Sequence, residues 1–220
     1  MIWDWAFAWQ ILPTLADAAL VTIEATILGY AIALVGGLLL ALMRRSPSRL
    51  VAWPAAGLVE FVRSTPLLVQ LFFLYFGLPE FGIRLSPFAT GVIGLGLHFS
   101  TYTSEVYRSG IDGVAAGQWE AAKALNFSAY RKYRNIVLPQ AIPPVVPVLG
   151  NYLVGMFKDS TLLSSIAVLE LLQVAKIIGS DTFKYMEPLT IIGVFFIIMS
   201  LVSVAGIQWI ERKVNAREAS

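Results

Sequence analysis

Charged and polar side chains at the edges or inside strongly apolar stretches are the residues of this sequence best placed to do chemistry. Glu24 lies within the first long apolar run, and Lys158, Asp159 and Ser160 follow the fourth. Because the hydrocarbon of a bilayer makes charge expensive, such residues are functional candidates. Glu24 could reach the headgroups or line a solute path. Lys158 and Asp159 could form a local ion pair or a polar patch that suits a zwitterionic solute.

The polar loop, residues 110–140, is the second candidate site. Gly117 is an acceptable N-cap for a helix, and Glu120 then occupies the third helical position. There its carboxylate could bind free backbone N–H groups at the positive end of the helix dipole. The adjacent Ala121 and Ala122 leave a surface onto which another protein could close tightly.

The same loop carries signals for the end of this helix and the start of another. Asn126 tolerates the left-handed backbone conformation that often ends a helix. Ser128 is a suitable N-cap for the next helix, which we expect to end before Pro139 because proline disfavours helical backbone at the residue before it. Two short helices are therefore predicted to project from the membrane surface.

Enzymatic chemistry finds little support in the sequence. The chain has no cysteine and one histidine, His98, which lies in an apolar run. Because nothing in the sequence pairs with it, a packed and hydrogen-bonded histidine is the simpler interpretation. A G-x-x-x-x-G-K-[ST] phosphate loop is also absent. No cofactor is therefore expected in this chain.

The composition predicts an all-α integral membrane protein. Of 220 residues, 57% are hydrophobic and only 14% are charged, and the mean hydropathy is +0.73. Soluble domains carry about 25% charged residues, and about 20 apolar residues cross a bilayer as a helix. The apolar runs predict about five transmembrane helices, approximately over residues 19–43, 59–78, 88–106, 142–157 and 189–210.

The two ends of the chain are predicted to lie outside this membrane domain, which we place at residues 19–210. Segment 1–18 has apolar residues at roughly helical spacing and three tryptophans, which are typical of headgroup depth. These residues are Ile2, Trp3, Trp5, Trp9 and Leu12. They predict a short amphipathic helix on the outer membrane surface. Residues 211–220 form a short tail.

The distribution of basic residues orients the chain. The uncertain segment is 162–178, which carries Glu170 and Lys176. If it enters the membrane without crossing, eleven basic residues lie inside and four outside, as the positive-inside rule favours. The eleven are Arg44, Arg45, Arg49, Arg108, Lys123, Arg131, Lys132, Arg134, Arg212, Lys213 and Arg217. The N-terminus is then outside and the tail is cytoplasmic.

Three further patterns concern helix packing. The prolines of 143–147 are either tolerated by neighbouring helices or break the fourth span along a solute path. The glycine cluster 91–96 indicates close helix packing. Glu105 and Arg108, three residues apart on a helix, indicate a structural ion pair.

Four segments resemble motifs of one transporter family. Residues 120–128 are similar to the EAA loop of binding-protein-dependent ABC importer permeases. The segments 61–72, 102–110 and 138–143 resemble the polar-amino-acid branch of that family. They occur in the family's order and on a matching topology, so the resemblance covers most of the chain from about residue 20 to 210.

This resemblance implies a type 1 transmembrane domain and several partners. Two permease subunits, alike or related, pack together in the lipids of the bacterial inner membrane, with no nucleic acid involved. Each inserts its EAA loop into a cleft on an ATP-binding subunit, and a periplasmic solute-binding protein delivers cargo. The coupling positions carried over are Glu120, Ala121, Ala122, Asn126, Leu138 and Pro139. The family usually has glycine at residue 126, where asparagine should keep the same turn.

The resemblance also suggests a cargo class. The opening Trp3-Asp4-Trp5 and the stretch 168–172 are similar to permeases of ectoine and hydroxyectoine importers, so a polar amino acid or an amino-acid-like compatible solute is expected. The alternative is a secondary transporter or channel that works without ATP-binding partners. Such a protein needs its own coupling-ion site and often shows internal repeats, and no repeat is found. A mere membrane anchor would need neither the polar loop nor the charges in the spans.

Overall fold

Helices form nearly all of the described chain, which covers residues 3–216 of a computed structural model. In chain order they are α1 (Trp5–Arg44), α2 (Arg49–Arg63), α3 (Leu67–Phe72), α4 (Pro87–Asp112), α5 (Ala116–Ala124), α6 (Ala129–Lys132), α7 (Leu138–Asp159), α8 (Leu171–Thr182) and α9 (Met186–Ala216). The predicted all-α class is confirmed. Ile2 and Arg217, used in the patterns above, lie outside the described residues.

The predicted amphipathic helix at the N-terminus is not a separate element. α1 is one helix of 40 residues. Asp4 caps it by accepting a hydrogen bond from the Phe7 N–H at 3.1 Å. Leu15 and Ala18 are buried in a core shared with α8 and α9, which holds this part of the helix on the bundle. The helix therefore has no break after residue 18, and the start of the membrane domain at residue 19 stays a prediction.

The predicted second span, residues 59–78, is interrupted by a sharp bend. α2 and α3 meet at an angle of 105° across the break at residues 64–66. α3 continues into a π turn and a 3-10 turn that reach Phe81. The span was predicted as continuous because apolar residues lie on both sides of the break. Pro66, which disfavours helical backbone at Thr65, was the available signal for the break. Arg63 is the last residue of α2, so it lies before the apolar helix α3, which begins at Leu67.

α4 is the central helix, and small residues let it lie close to α1. A Cβ atom on Gly96 would come within 2.6 Å of Ile32. The Thr103 hydroxyl donates a hydrogen bond to the Ala33 carbonyl at 2.7 Å, and Leu95 is fully buried in the main core. The prediction that the glycine cluster packs helices closely is confirmed.

α7 remains a regular helix through its prolines at 143–147, so they do not break the span. The chain enters α7 from α6 through a π turn at Tyr133–Val137. The expected helix end before Pro139 is therefore wrong. The π turn shifts the backbone hydrogen-bond register, and Pro139 occupies the first turn of α7, where proline is tolerated.

The uncertain segment 162–178 forms a 3-10 turn, Ser160–Ile166, and then α8. Between them Ala167 adopts a left-handed backbone with φ of 61°. α8 has 12 residues, about 18 Å at 1.5 Å per residue, whereas the hydrocarbon core is about 30 Å thick. The structure agrees with the prediction that this segment does not cross the membrane.

Three helical stretches are long and apolar enough to span a bilayer, namely Trp5–Arg44, Ala129–Ile166 and Met186–Val214. The bent pair α2–α3 makes a fourth if it is one span. α4 is not among them, since it is rich in serine, threonine and glycine, although it packs along α1. Five crossings and the orientation of the termini stay predictions. α9 continues past residue 210 without a break.

Candidate functional site

The polar loop contains α5, whose start differs from the prediction. Ala115, not Gly117, is the N-cap residue, and it provides no side-chain hydrogen bond. Glu120 therefore occupies the fifth helical position, and its side chain is exposed to solvent. The interpretation of Glu120 as a capping carboxylate is wrong, because free backbone N–H groups lie only in the first turn. Its charge is available for another contact.

The end of α5 is as predicted. Asn126 adopts a left-handed backbone with φ of 52°. Its N–H donates to the Lys123 carbonyl at 3.0 Å, and the Phe127 N–H donates to the Ala122 carbonyl at 3.0 Å. This pair of hydrogen bonds is the Schellman motif, which satisfies carbonyls at a helix C-terminus. Asparagine thus fulfils the role that glycine usually has at such a turn.

The two adjacent alanines of α5 differ in exposure. Ala121 is exposed, whereas Ala122 is fully buried within its own chain. The prediction that both leave an open surface is therefore wrong for Ala122. Successive residues on a helix are 100° apart, so Ala122 lies about 200° around α5 from Glu120, on nearly the opposite side, whereas Ala121 is closer to the exposed face of Glu120.

Contacts with three other elements hold α5 in place. Trp119 packs edge-on against Tyr133 of the π turn, with ring centroids 5.7 Å apart. The guanidinium of Arg45, just after α1, lies 5.8 Å from the Trp119 ring. Ile111 and Val137 are buried in the same cluster. These contacts were not predicted, because they join residues far apart in sequence. The only local signal was the apolar Trp119 within a polar loop.

Leu138 and Pro139 lie at the start of α7 rather than in α5. Both are exposed. Ser128 caps α6 by accepting a hydrogen bond from the Arg131 N–H, which confirms the cap predicted there. α6, the π turn and α7 follow one another without a gap, so the second half of the polar loop is continuous with a membrane helix. A displacement of α6 would therefore move α7.

A charge cluster lies at the end of the bundle from which the polar loop projects, which we call the polar-loop end. Glu105 accepts hydrogen bonds from Arg44 at 2.6 Å and from Arg108 at 2.7 Å, and it lies 3.5 Å from Arg63. The Glu105–Arg108 pair is confirmed. The other two partners were missed, because nothing in the sequence brings the ends of α1 and α2 to α4.

Asp112 extends this cluster toward α5. It pairs with Arg45 and lies 3.9 Å from Arg108. Beside the cluster, a cavity of about 520 Å³ opens between α4 and α7, and its lining includes Glu105 and Gln140. The charge cluster, comprising Arg44, Arg45, Arg63, Glu105, Arg108 and Asp112, thus joins α1, α2 and α4 next to an open cavity.

The predicted path residues differ in their exposure and contacts. Glu24 and Lys158 are both exposed on this single chain. Lys158 pairs with no carboxylate in the part of the chain that the structure describes, so the local ion pair with Asp159 is not present. Ser160 is buried, and its hydroxyl donates to the Phe157 carbonyl at 2.7 Å. Ser160 therefore has a local structural contact and does not face an open path.

His98 is the packed histidine that the sequence predicted. Its Nδ1 lies 3.1 Å from the Gln70 side-chain oxygen. The Gln70 amide nitrogen donates to the Val62 carbonyl at 2.7 Å and the Thr65 carbonyl at 3.0 Å. Gln70 was not predicted as a functional residue. It satisfies the carbonyls freed at the α2–α3 bend and connects that bend to α4.

Glu170 is a second residue that sequence reasoning missed. It is fully buried and caps α8, accepting hydrogen bonds from the Leu172 N–H at 2.9 Å and the Gln173 N–H at 2.7 Å. The Leu171 N–H donates instead to the Thr22 hydroxyl of α1 at 3.1 Å. An acidic residue just before a helical run was the available signal. Among the residues that the structure covers, no group of three or more His, Cys, Asp or Glu could hold a metal ion.

Comparison with known proteins decides the family. The sequence-family model for the binding-protein-dependent transport system inner membrane component matches residues 33–216 of this chain. This chain belongs to that family. It is therefore a multi-pass inner-membrane permease subunit of a transporter.

Two relatives show the same family membership along nearly the whole chain. A probable amino-acid ABC transporter permease of Sinorhizobium fredii is 48% identical over 206 residues, covering 94% of this permease and 89% of that protein. A probable glutamine ABC transporter permease of Bacillus subtilis is 33% identical over 194 residues, covering 88% and 90%.

Solved structures agree with the fold of the permease. A chain of an amino acid ABC transporter with histidines superposes with a TM-score of 0.90 at 35% identity, covering 97% of this permease and 100% of that chain. An inward-facing methionine ABC transporter chain superposes with a TM-score of 0.71 at 18% identity, covering 96% and 99%. The second likeness bears on the fold alone.

Proposed function

We propose that this permease forms the membrane path of an ATP-driven importer for a polar amino acid or an amino-acid-like compatible solute such as ectoine or hydroxyectoine. The observation that carries the proposal is α5, an exposed helix joined through the Asn126 turn to the continuous helical stretch of α6 and α7. The Sinorhizobium and Bacillus relatives, named as amino-acid and glutamine permeases, support the cargo class.

The partner is a separate ATP-binding subunit that docks on the exposed face of α5. Glu120 and Ala121 lie on this face, and Asn126 fixes the turn that ends it. Ala122 supports the face from inside. Trp119 joins α5 to the charge cluster through Arg45, so movement of the docked subunit can reach α1 and α4. A second permease subunit and a solute-binding protein complete the importer.

The solute path runs beside α4 and α7. The cavity between these helices is lined by Glu105 and Gln140 as well as apolar side chains. Polar groups among apolar walls suit a small zwitterion, since each charged group of the solute needs a partner once water is left behind. Glu24, Lys158 and Asp159 are the further candidates, and a second subunit would decide whether they face the path.

The experiment compares Ala121→Glu with Ala6→Glu in the reconstituted complex with its ATP-binding subunit. Both residues are exposed alanines on helices, but only Ala121 lies on the proposed docking face. A charged side chain there should lower solute-stimulated ATP hydrolysis about tenfold, which corresponds to about 1.4 kcal/mol. Ala6→Glu should leave it unchanged. Glu120→Gln should give a smaller loss than Ala121→Glu.

Two outcomes would contradict the proposal. Normal coupling in Ala121→Glu would mean that α5 does not contact the ATP-binding subunit. Solute uptake by vesicles that contain this permease alone would mean that no such subunit is needed. Ligand binding by the solute-binding partner, measured with ectoine and with the standard amino acids, separates the two cargo classes.

A further inference from the structure

An apolar groove runs between the start of α1 and the first half of α9, at the end of the bundle where the chain begins. Its volume is about 550 Å³. One threonine and seven apolar residues line it: Thr190, and Trp3, Trp5, Leu12, Ile191, Val194, Phe195 and Ile198. The stretch from Thr190 to Ile198 rises about 12 Å along α9. The groove therefore suits an elongated apolar ligand.

A hydrogen-bond donor lacks a partner at one end of this groove. The indole Nε1 of Trp3 is buried and has no hydrogen-bond partner among the described residues. Buried N–H groups without partners are rare in folded proteins. Trp3 is held in place by edge-on packing against Trp5, with ring centroids 5.5 Å apart. An acceptor supplied by a bound molecule would satisfy the indole.

Charged groups lie next to this donor. Asp4 follows Trp3 directly, and the Lys184 ammonium binds its carboxylate at 2.8 Å. Both side chains are nearly half exposed. Glu187 lies there as well, since its carboxylate accepts a hydrogen bond from the Asp4 N–H at 3.0 Å. Two carboxylates and one ammonium therefore meet beside Trp3, and the end of the groove suits a head that offers acceptor oxygens and carries no excess of negative charge.

We propose that the groove binds a glycerophospholipid. One acyl chain lies between α1 and α9, and phosphate or ester oxygens accept the Trp3 indole hydrogen bond. Tryptophan is typical of the depth at which these headgroups lie. The exposed side of α9 beyond the groove is apolar, including Ile197 and Leu201, so the groove opens toward lipid tails.

Native mass spectrometry of the purified permease tests this site, after exchange into vesicles of phosphatidylethanolamine and phosphatidylglycerol. Val194→Trp fills the groove and should reduce the retained phospholipid severalfold. Val202→Trp is the matched control, since Val202 lies on the same helix, is also exposed and does not line the groove. It should retain lipid as the wild type does. Trp3→Phe keeps a ring but removes the N–H, so it should lose part of the retained lipid.

The outcomes are distinguishable. Equal lipid retention by Val194→Trp and Val202→Trp would overturn the site. Failure of Val194→Trp to pair with the second permease subunit, with lipid retention unchanged, would assign the groove to the subunit interface and would also overturn it. Full retention by Trp3→Phe would overturn the headgroup contact. None of these results depends on cargo or on ATP hydrolysis.

Discussion

The polar-loop end and the N-terminal end of the bundle are stabilised by different kinds of contact. At the polar-loop end, Glu105 lies within 3.5 Å of arginines from α1, α2 and α4. At the N-terminal end, Asp4 caps α1 and pairs with Lys184. The first arrangement joins three helices, whereas the second closes one helix and attaches it to a neighbouring loop.

This difference indicates where the bundle can transmit movement. A carboxylate with several cationic partners fixes the relative positions of helices that are distant in sequence, so losing it should be felt at all of them. A cap satisfies groups of its own helix, so losing it should remain local. The end next to the proposed docking helix is the one built from multi-helix contacts.

Glu105→Ala should have the largest effect. It leaves Arg44, Arg63 and Arg108 close together without their shared carboxylate, and loss of hydrogen bonds to a charged group costs about 1.5–3 kcal/mol. We expect a lower midpoint of thermal unfolding in detergent together with reduced uptake. Glu105→Gln keeps an acceptor oxygen and should lie between this variant and the wild type. Equal unfolding of all three proteins would mean that the charge cluster does not stabilise this end.

Gln70→Leu should come next. It removes the donors to the Val62 and Thr65 carbonyls at the α2–α3 bend and also the partner of His98. Unsatisfied buried groups cost about 1–3 kcal/mol. Because this bend is partly exposed, we expect a loss of stability in the lower half of that range. Hydrogen exchange should rise in both α2 and α3. Val69→Leu, at an exposed neighbouring position, is the control.

Glu170→Ala tests whether loss of a buried helix cap affects only the amides of its own helix, α8. Loss of an N-cap side chain costs about 0.5–2 kcal/mol. Exchange of the Leu172 and Gln173 amides should increase, while amides of α4 keep wild-type rates. Glu170→Gln retains one acceptor and should show a smaller increase. Faster exchange in α4 would show that this cap, too, connects distant helices.

Asp4→Asn should have the smallest effect. Hydrogen bonds from Lys184 and from the Phe7 N–H lower the pKa of the Asp4 carboxyl. A lowered folded-state pKa means that the stabilisation is complete above the ordinary aspartate pKa and disappears as the pH falls through the lowered value. Wild type and variant should therefore unfold at slightly different temperatures near neutral pH and at the same temperature in strong acid. A difference that grows with acidity would contradict this assignment.

Local signals in the sequence were reliable where neighbouring residues decide the structure. The left-handed turn at Asn126 and the cap at Ser128 follow from backbone and side-chain chemistry within a few residues. The structure of these regions needed no knowledge of the rest of the chain. The expectation that segment 162–178 does not cross the membrane instead used the basic residues of the whole chain and the positive-inside rule.

Contacts between distant residues could not be predicted in this way. Arg63 meets Glu105 only because α2 ends at a 105° bend; Pro66 could have indicated a break in the helix there, but not the angle of the bend or the contact. The start of α5 at Ala116 rather than after Gly117 moved Glu120 from the third to the fifth helical position, beyond the first turn where free N–H groups lie. The burial of Ala122 depends on packing against distant elements, which the loop sequence does not contain.

The length of α1 bears on how the permease responds to its membrane. Forty residues extend about 60 Å, twice the hydrocarbon thickness of about 30 Å. The apolar part, residues 19–43, extends about 37 Å and would fit that thickness at a tilt of about 35°, within the range of known spanning helices. The first turns of α1 then stand beyond the hydrocarbon, and Asp17 lies near its edge. A bilayer a few ångströms thicker would draw that carboxylate toward the lipid tails or make the helix more upright, so membrane thickness alone could alter the resting tilt of the whole bundle.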